Sequence, residues 1–133
     1  MSQSYMPKSK SDTHITPQRV YDLINEWWGY NKENMFDPCP VNADFDGLSV
    51  EWKSLNYINP PYKLLDKFVF KAMSEFIKHR KTSILLLPSK TDQLWFHNLC
   101  DFRYATILWI LGRLRFENNK NNSPQPHFLA KIG

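Results

Sequence analysis

Tyr57-Ile58-Asn59-Pro60-Pro61-Tyr62-Lys63-Leu64 is the stretch that decides the fold. Tyr57-Ile58 runs as a short apolar strand into Asn59, and Leu64 begins a helical repeat behind the corner. Open α/β sheets place their chemistry where a strand gives way to a helix in this manner. Two successive prolines remove two backbone donors, fix two φ angles and hold the preceding Asn extended, so nearby carbonyls are left as acceptors. Asn59 adds a side-chain carbonyl and Tyr62 an aromatic face. Such a set suits a planar group carrying an NH2: two oxygens accept its hydrogens and draw the lone pair out of conjugation, while a ring stacks on the plane. A Pro-Pro-Tyr without this context is simply a loop, or a ligand for a small recognition domain.

C-terminal to the corner, Leu64, Leu65, Phe68, Val69, Ala72, Met73, Phe76 and Ile77 form one apolar face, with Lys67, Lys71, Glu75 and Lys78 opposite. The basic run His79-Arg80-Lys81 suits the negative end of that helix, with a DNA-binding patch as the alternative. Ser83 to Leu87, closed by Pro88, reads as a strand buried on both faces. Ser89-Lys90-Thr91-Asp92 opens another helix, whose core face is Leu94, Trp95 and Leu99. Trp95-Phe96-His97 reads as packing, or else as a platform flanking a base. Ala105 to Leu111 is a further apolar strand, left by Gly112-Arg113-Leu114-Arg115-Phe116. Asn118 to Pro126 reads as a mobile loop and His127 to Ile132 as a closing strand.

N-terminal to the corner, residues 1 to 15 read as a flexible arm and 16 to 133 as one domain. Thr16-Pro17 looks like a helix start, Thr16 as N-cap and Pro17 in the first turn, followed by Val20, Leu23, Ile24 and Trp27 at helical spacing and ended by Gly29. Met35-Phe36 then delivers Asp37 into a turn with Pro38, Cys39 and Pro40. A carboxylate at a strand's carboxyl end can pair with a ligand ammonium group, although an Asp-Pro turn is equally just a turn. Asp44 or Asp46, in the acidic loop before Gly47, is a candidate to accept from ribose hydroxyls, or is a solvated loop acid.

Composition narrows the class. With 133 residues the chain makes one domain, and its 42% apolar and 15% aromatic content excludes a disordered chain. It holds no apolar run near the roughly 20 residues of a membrane span, and Met1 to Asp12 lacks the apolar core of a secretory signal, so no membrane partner and an intracellular place are expected. A net charge of +4 favours approach to a polyanion without requiring one. Cys39 and Cys100 make no metal-ligand spacing with the four histidines, so reduced thiols and no metal are expected.

Taken in order, Thr16-Pro17, Phe36-Asp37-Pro38-Cys39, Asp46-Gly47-Leu48 with Trp52, Tyr57 to Tyr62, Leu86-Leu87-Pro88, Thr91-Asp92 with Trp95-Phe96-His97, Gly112 to Phe116, and Ser123-Pro124 resemble the small phage-type (Dam-like) DNA N6-adenine methyltransferases over residues 16 to 132. The resemblance implies a small Rossmann-like α/β fold with a reduced, mostly parallel sheet, S-adenosylmethionine as methyl donor, and adenine in double-stranded DNA as acceptor. It implies Asn59, Pro60, Pro61 and Tyr62 as the catalytic corner, and Thr16, Pro17, Asp37, Pro38, Cys39, Asp46 and Asn59 around the donor. Tyr62, Lys63, Lys90, Arg113 and Arg115 become the DNA-contacting candidates. If phage-encoded, the protein works in the cytoplasm of a bacterial host. Full-size relatives bind the donor with a Gly-rich turn, and this chain has four glycines and no Gly-x-Gly. A homodimer, a partner subunit or a catalytically silent nucleic-acid-binding module are the arrangements a shortened chain allows, and RNA or protein are the alternative acceptors for the same corner.

Overall fold

The computed structural model describes residues 14–133. The expected flexible arm, residues 1 to 15, lies outside the described residues except for His14 and Ile15. The elements in chain order are α1 (Gln18–Trp28), β1 (Leu55–Ile58), α2 (Leu65–His79), β2 (Thr82–Pro88), α3 (Leu94–Cys100), β3 (Ala105–Trp109) and β4 (His127–Ile132), with single 3-10 turns at Lys32–Asn34 and Tyr62–Leu64.

The strands form one mixed sheet in the order β1-β2-β4-β3. β1 and β2 pair in parallel across the α2 crossover, Tyr57 opposite Ile84. β4 is antiparallel to both β2 and β3, with Leu129 facing Leu86 on one side and Leu108 on the other. The expectation of a mostly parallel sheet is therefore corrected at the level of pairing: two of the three ladders are antiparallel, because the last strand returns into the middle of the sheet instead of adding at its edge. Since β4 runs against both neighbours, β1, β2 and β3 share one direction, and their carboxyl ends lie together. Met35-Phe36, read as a strand, contributes one parallel bridge, Phe36 to Asn56, through Phe36 N–H to the Leu55 carbonyl (2.9 Å) and Tyr57 N–H to the Phe36 carbonyl (2.8 Å). That bridge delivers Asp37 to the same end of the sheet as Asn59.

Alternation along β2 builds a core on each face. Leu85 and Leu87 pack with Phe68, Val69 and Ala72 of α2 and with Trp95, Phe96 and Leu99 of α3. Ile84 and Leu86 pack with Val20 and Ile24 of α1 on the other side. A central strand covered on both faces needs apolar side chains at successive positions, each large one contributing about 2 kcal/mol when buried. Trp95-Phe96 accordingly serves as packing, with Phe96 edge-on to Phe128 at 5.5 Å.

Boundary residues depart from the sequence expectation for local reasons. Gly29 ends α1 as expected, in the left-handed conformation with its N–H on the Asn25 carbonyl. Thr16 does not cap α1: Pro17 holds the N-cap position, the helix begins at Gln18, and no side chain caps it. Ile77 and Leu94, expected in the core, are 53% and 75% exposed, and Leu94 instead borders the cavity between α2 and α3. β3 stops at Trp109, and Leu111 beyond it is 92% exposed. The basic run after α2 is structural: Lys81 Nζ donates to the Trp52 carbonyl (2.7 Å), and the Arg80 guanidinium lies over Phe76.

Candidate active site

Strand alternation puts Tyr57 and Asn59 on one side of the sheet, the side covered by α1. The segment leading into α1 therefore passes over the corner. Asn59 Nδ2 donates to the His14 carbonyl (2.8 Å) and to Thr16 Oγ1 (3.1 Å), and Thr16 Oγ1 shares a second hydrogen bond with the Tyr57 hydroxyl (2.8 Å). With both amide hydrogens engaged, the orientation of the Asn59 carbonyl oxygen is fixed. Among the described residues neither Asn59 Oδ1 nor the Pro60 carbonyl accepts a hydrogen bond, whereas the Pro61 carbonyl takes the Leu64 N–H (2.9 Å). The corner thus holds two carbonyl oxygens from adjacent residues, one half-buried and one buried, that take no donor among the described residues. Thr16, expected as a helix cap, is withdrawn from that task because its hydroxyl joins this network.

The strap that carries His14 is fastened at its other edge as well. Ile15 N–H donates to Asn118 Oδ1 (3.0 Å) and the Ile15 carbonyl accepts from Glu117 N–H (3.0 Å). The His14 ring lies between Tyr62 and Phe116, at centroid distances of 5.1 and 4.6 Å. Tyr62 borders two cavities. One, about 630 Å³, runs between α2 and α3 and is lined by Lys63, Lys90, Phe70, Leu94 and Trp95 among others. The second, about 300 Å³, is formed with His14, Phe116 and the Asn119 to Pro124 loop.

Asp37 sits at the end of the Phe36 bridge. Its Oδ1 accepts the Cys39 N–H (2.8 Å), an Asx turn, and its charge helps raise the pKa of both Tyr21 and Tyr57, whose dominant cause is burial. The carboxylate is thereby within electrostatic reach of the Tyr57–Thr16–Asn59 network. Gly47 packs against this turn so closely that a Cβ there would lie 2.0 Å from the Pro38 carbonyl oxygen. Asp46 is differently employed: Oδ1 accepts from Leu48 N–H (3.0 Å) and Oδ2 from Ser49 Oγ (2.9 Å), so both oxygens close their own turn. Trp52 Nε1 fastens that turn from the core through the Gly47 carbonyl (2.8 Å).

The sequence candidates divide accordingly. Thr16, Pro17, Asp37, Pro38, Cys39, Asn59, Pro60, Pro61 and Tyr62 gather at one end of the sheet, and Lys63 and Lys90 share the larger cavity with Tyr62. Arg113 and Arg115 line neither cavity; Arg113 Nη1 instead donates to the Pro124 carbonyl (2.6 Å) and holds the loop that walls the smaller one. Among the described residues no three His, Cys, Asp or Glu side chains converge as metal ligands, and no helix is long and apolar enough to cross a membrane.

Sequence reading missed His127, Tyr57, His14 and Phe116 as parts of the site. Tyr57 was accessible, since a strand residue two before Asn59 shares its side. His127 was hidden inside an apolar strand pattern. It is 2% exposed, its Nε2 meets the Tyr62 hydroxyl at 3.1 Å, and its Nδ1 meets the Gln125 carbonyl at 3.1 Å.

Burial pushes the His127 imidazole down to about 4, the Gln125 carbonyl opposes the shift, and the facing His14 adds to it. The sign follows from proton counting. A depressed histidine pKa means that the unfolded chain binds more protons between about pH 6.5 and 4, so stability is present in full above that window and falls through it. Lowering the pH from 7 to 5 is expected to cost about 2 kcal/mol through this residue. Urea unfolding at the two pH values checks it, and His127→Gln is expected to flatten that limb.

Two carbonyl oxygens without a donor among the described residues, on a proline-stiffened strand end beside an aromatic ring and a nearby carboxylate, make this corner a candidate site for a planar amine. The chain belongs to the DNA N-6-adenine-methyltransferase (Dam) family, whose model matches residues 3–128. It is 27% identical over 144 aligned positions to the DNA N-6-adenine-methyltransferase of Haemophilus phage HP1 (strain HP1c1), covering 94% of this chain and 82% of that protein. No solved structure matches it. The chain is accordingly an enzyme of DNA adenine-N6 methylation.

Proposed function

We propose that the Asn59-Pro60-Pro61-Tyr62 corner receives an adenine flipped out of double-stranded DNA and holds its N6 amine for methylation with S-adenosylmethionine as donor. The observation that carries this is the fixed Asn59 amide, whose two donated hydrogen bonds leave Oδ1 as an acceptor beside the Pro60 carbonyl. Those two oxygens accept the N6 hydrogens, which pulls the nitrogen out of conjugation with the ring and concentrates its lone pair. Tyr62 stacks on the base and fixes its plane. When bound, S-adenosylmethionine supplies an electrophilic methyl on a sulfonium whose leaving group is neutral. Strong base catalysis is therefore unnecessary, and the residues act by positioning.

The donor set suits such a ligand. Asp37 offers a carboxylate to its ammonium group, and Thr16, Pro17, Pro38 and Cys39 surround the same strand ends as Asn59. We assign Asp46 only an indirect part, because its carboxylate is committed to shaping the Gly47 turn against Pro38. Lys63 and Lys90 would meet phosphates, a reading supported by the cavity they share with Tyr62. We read the sheet as a reduced Rossmann-like methyltransferase sheet; three strands sharing one direction, helices on both faces and a site at the carboxyl ends support that reading.

Incubating the protein with methyl-labelled S-adenosylmethionine and duplex DNA, RNA or protein side by side tests the acceptor. Label in duplex DNA is expected, and preferential label in RNA or protein would overturn the assignment. Within that assay, Tyr62→Ala is expected to lower kcat/KM by about 10²-fold, from roughly 1–3 kcal/mol of lost stacking together with lost alignment. The same variant is expected to keep its affinity for S-adenosylmethionine within about twofold, as calorimetry would show.

A further inference from the structure

His127 is the first residue of β4 and is held on both sides. It stands opposite Pro88 of β2, and its carbonyl accepts from Ile110 N–H (3.4 Å) just beyond β3. A carbonyl can only accept, so the contact of His127 Nδ1 with the Gln125 carbonyl places the ring proton on Nδ1. Nε2 is then a lone pair, and the Tyr62 hydroxyl donates to it. The edge of Phe116 closes on the imidazole at 5.3 Å, leaving it little room to turn. Tyr62 itself stands in the short 3-10 turn after Pro61, half-buried between two open cavities. A hydrogen bond from its far end to the first residue of a central strand, added to the contact with the His14 ring, restricts how that ring can turn.

We propose that His127 is a positioning residue for methyl transfer: it accepts the Tyr62 hydroxyl proton from within the sheet and thereby sets the plane on which the target adenine stacks. The proposal rests on the reading of Tyr62 as the stacking face. Because burial keeps the imidazole neutral, Nε2 stays an acceptor throughout the neutral pH range. The Tyr62 hydroxyl, which also interacts with the Ser123 side chain, joins the corner to the last strand across 65 positions of sequence.

The test is a double-mutant cycle on Tyr62→Phe and His127→Leu, read as kcat and KM with unmethylated duplex DNA, with S-adenosylmethionine affinity measured in each variant by calorimetry. Each single variant is expected to lose about tenfold in kcat while donor affinity stays within about twofold, and the double variant is expected to lose no more than either single one. His127→Gln, whose side-chain oxygen can stand near the position of Nε2, is expected to recover kcat to within about threefold of the parent. Wild-type kcat in a folded His127→Leu, losses that multiply in the double variant, or failure of a folded His127→Gln to recover would each overturn the proposal. Should His127→Leu fail to fold, Tyr62→Phe still decides, since undiminished kcat there contradicts a functional lock. Tyr62→Ala separates the two levels: full activity in it defeats the stacking reading itself, whereas a loss in it with none in Tyr62→Phe defeats only the role of His127.

Discussion

Asn59→Ala is expected to reduce methyl transfer by about 10³-fold while the protein stays folded and binds S-adenosylmethionine nearly normally. The alanine removes one of two acceptors for the adenine amine, and with it the two hydrogen bonds that tie the corner to His14 and Thr16. Those bonds lie at the rim of the sheet, where each contributes about 1 kcal/mol, so stability should fall only modestly. Asn59→Asp makes a sharper comparison. The carboxylate keeps an acceptor facing the amine, but its other oxygen would meet the His14 carbonyl across 2.8 Å with no hydrogen between them. Thr16 can turn its hydroxyl to donate, whereas the His14 carbonyl cannot. Asn59→Asp should therefore retain more activity than Asn59→Ala and less than the parent, with the strap loosened. Rates with duplex DNA, alongside urea melts of the three proteins, check this order.

Gly47→Ala is expected to be the most damaging single methyl group in the chain. Its Cβ would stand 2.0 Å from the Pro38 carbonyl oxygen and 3.0 Å from the Pro38 carbonyl carbon, both backbone atoms that no rotamer change can move. One of two turns must give way. The turn of Gly47 is closed by both oxygens of Asp46 and pinned by Trp52 Nε1, so displacement falls on Asp37-Pro38-Cys39. The cost should reach about 3 kcal/mol in stability, at the upper end for overpacking a close contact. Donor affinity should fall with it, because Asp37 moves. Gly29→Ala serves as the comparison: that glycine adopts φ +76 but has nothing within 4 Å of its Cβ position, so the expected loss is only the conformational strain of about 1–2 kcal/mol. Urea unfolding and calorimetric titration with S-adenosylmethionine on both variants distinguish steric displacement of the donor loop from general weakening.

What the chain announced in advance, and what it concealed, follows the range of the interactions involved. The Tyr57 to Leu64 corner was legible because its signals are local: a β-favouring pair, two prolines and a helical repeat within a few residues. The same holds for Gly29 after α1 and for Ser83 to Leu87, where an apolar run too short for a helix marks a central strand. Strand direction and order were not legible, since nothing in His127 to Ile132 says whether it adds at an edge or enters between β2 and β3. Thr16 illustrates a competition. As an isolated segment Thr-Pro reads as a helix start, but Tyr57 and Asn59, more than 40 positions away, claim the hydroxyl instead. Asp46, read either as a ribose contact or as a solvated loop acid, accepts a hydrogen bond from its own turn with each carboxylate oxygen. His127 carried no signal at all, because a histidine among Phe128, Leu129 and Ala130 looks like a strand residue until Tyr62 is brought against it.

The central claim, that the Asn59-Pro60 oxygens present an adenine amine for methylation, is tested most directly by mass spectrometry of nucleosides. Unmethylated duplex DNA would be incubated with the purified protein and S-adenosylmethionine carrying a deuterated methyl group, then digested. The expected result is deuteromethyl label on adenine N6 with the parent protein and about 10³-fold less with Asn59→Ala. Label on cytosine, no label on adenine, or equal label on adenine with the parent and with a folded Asn59→Ala would contradict it.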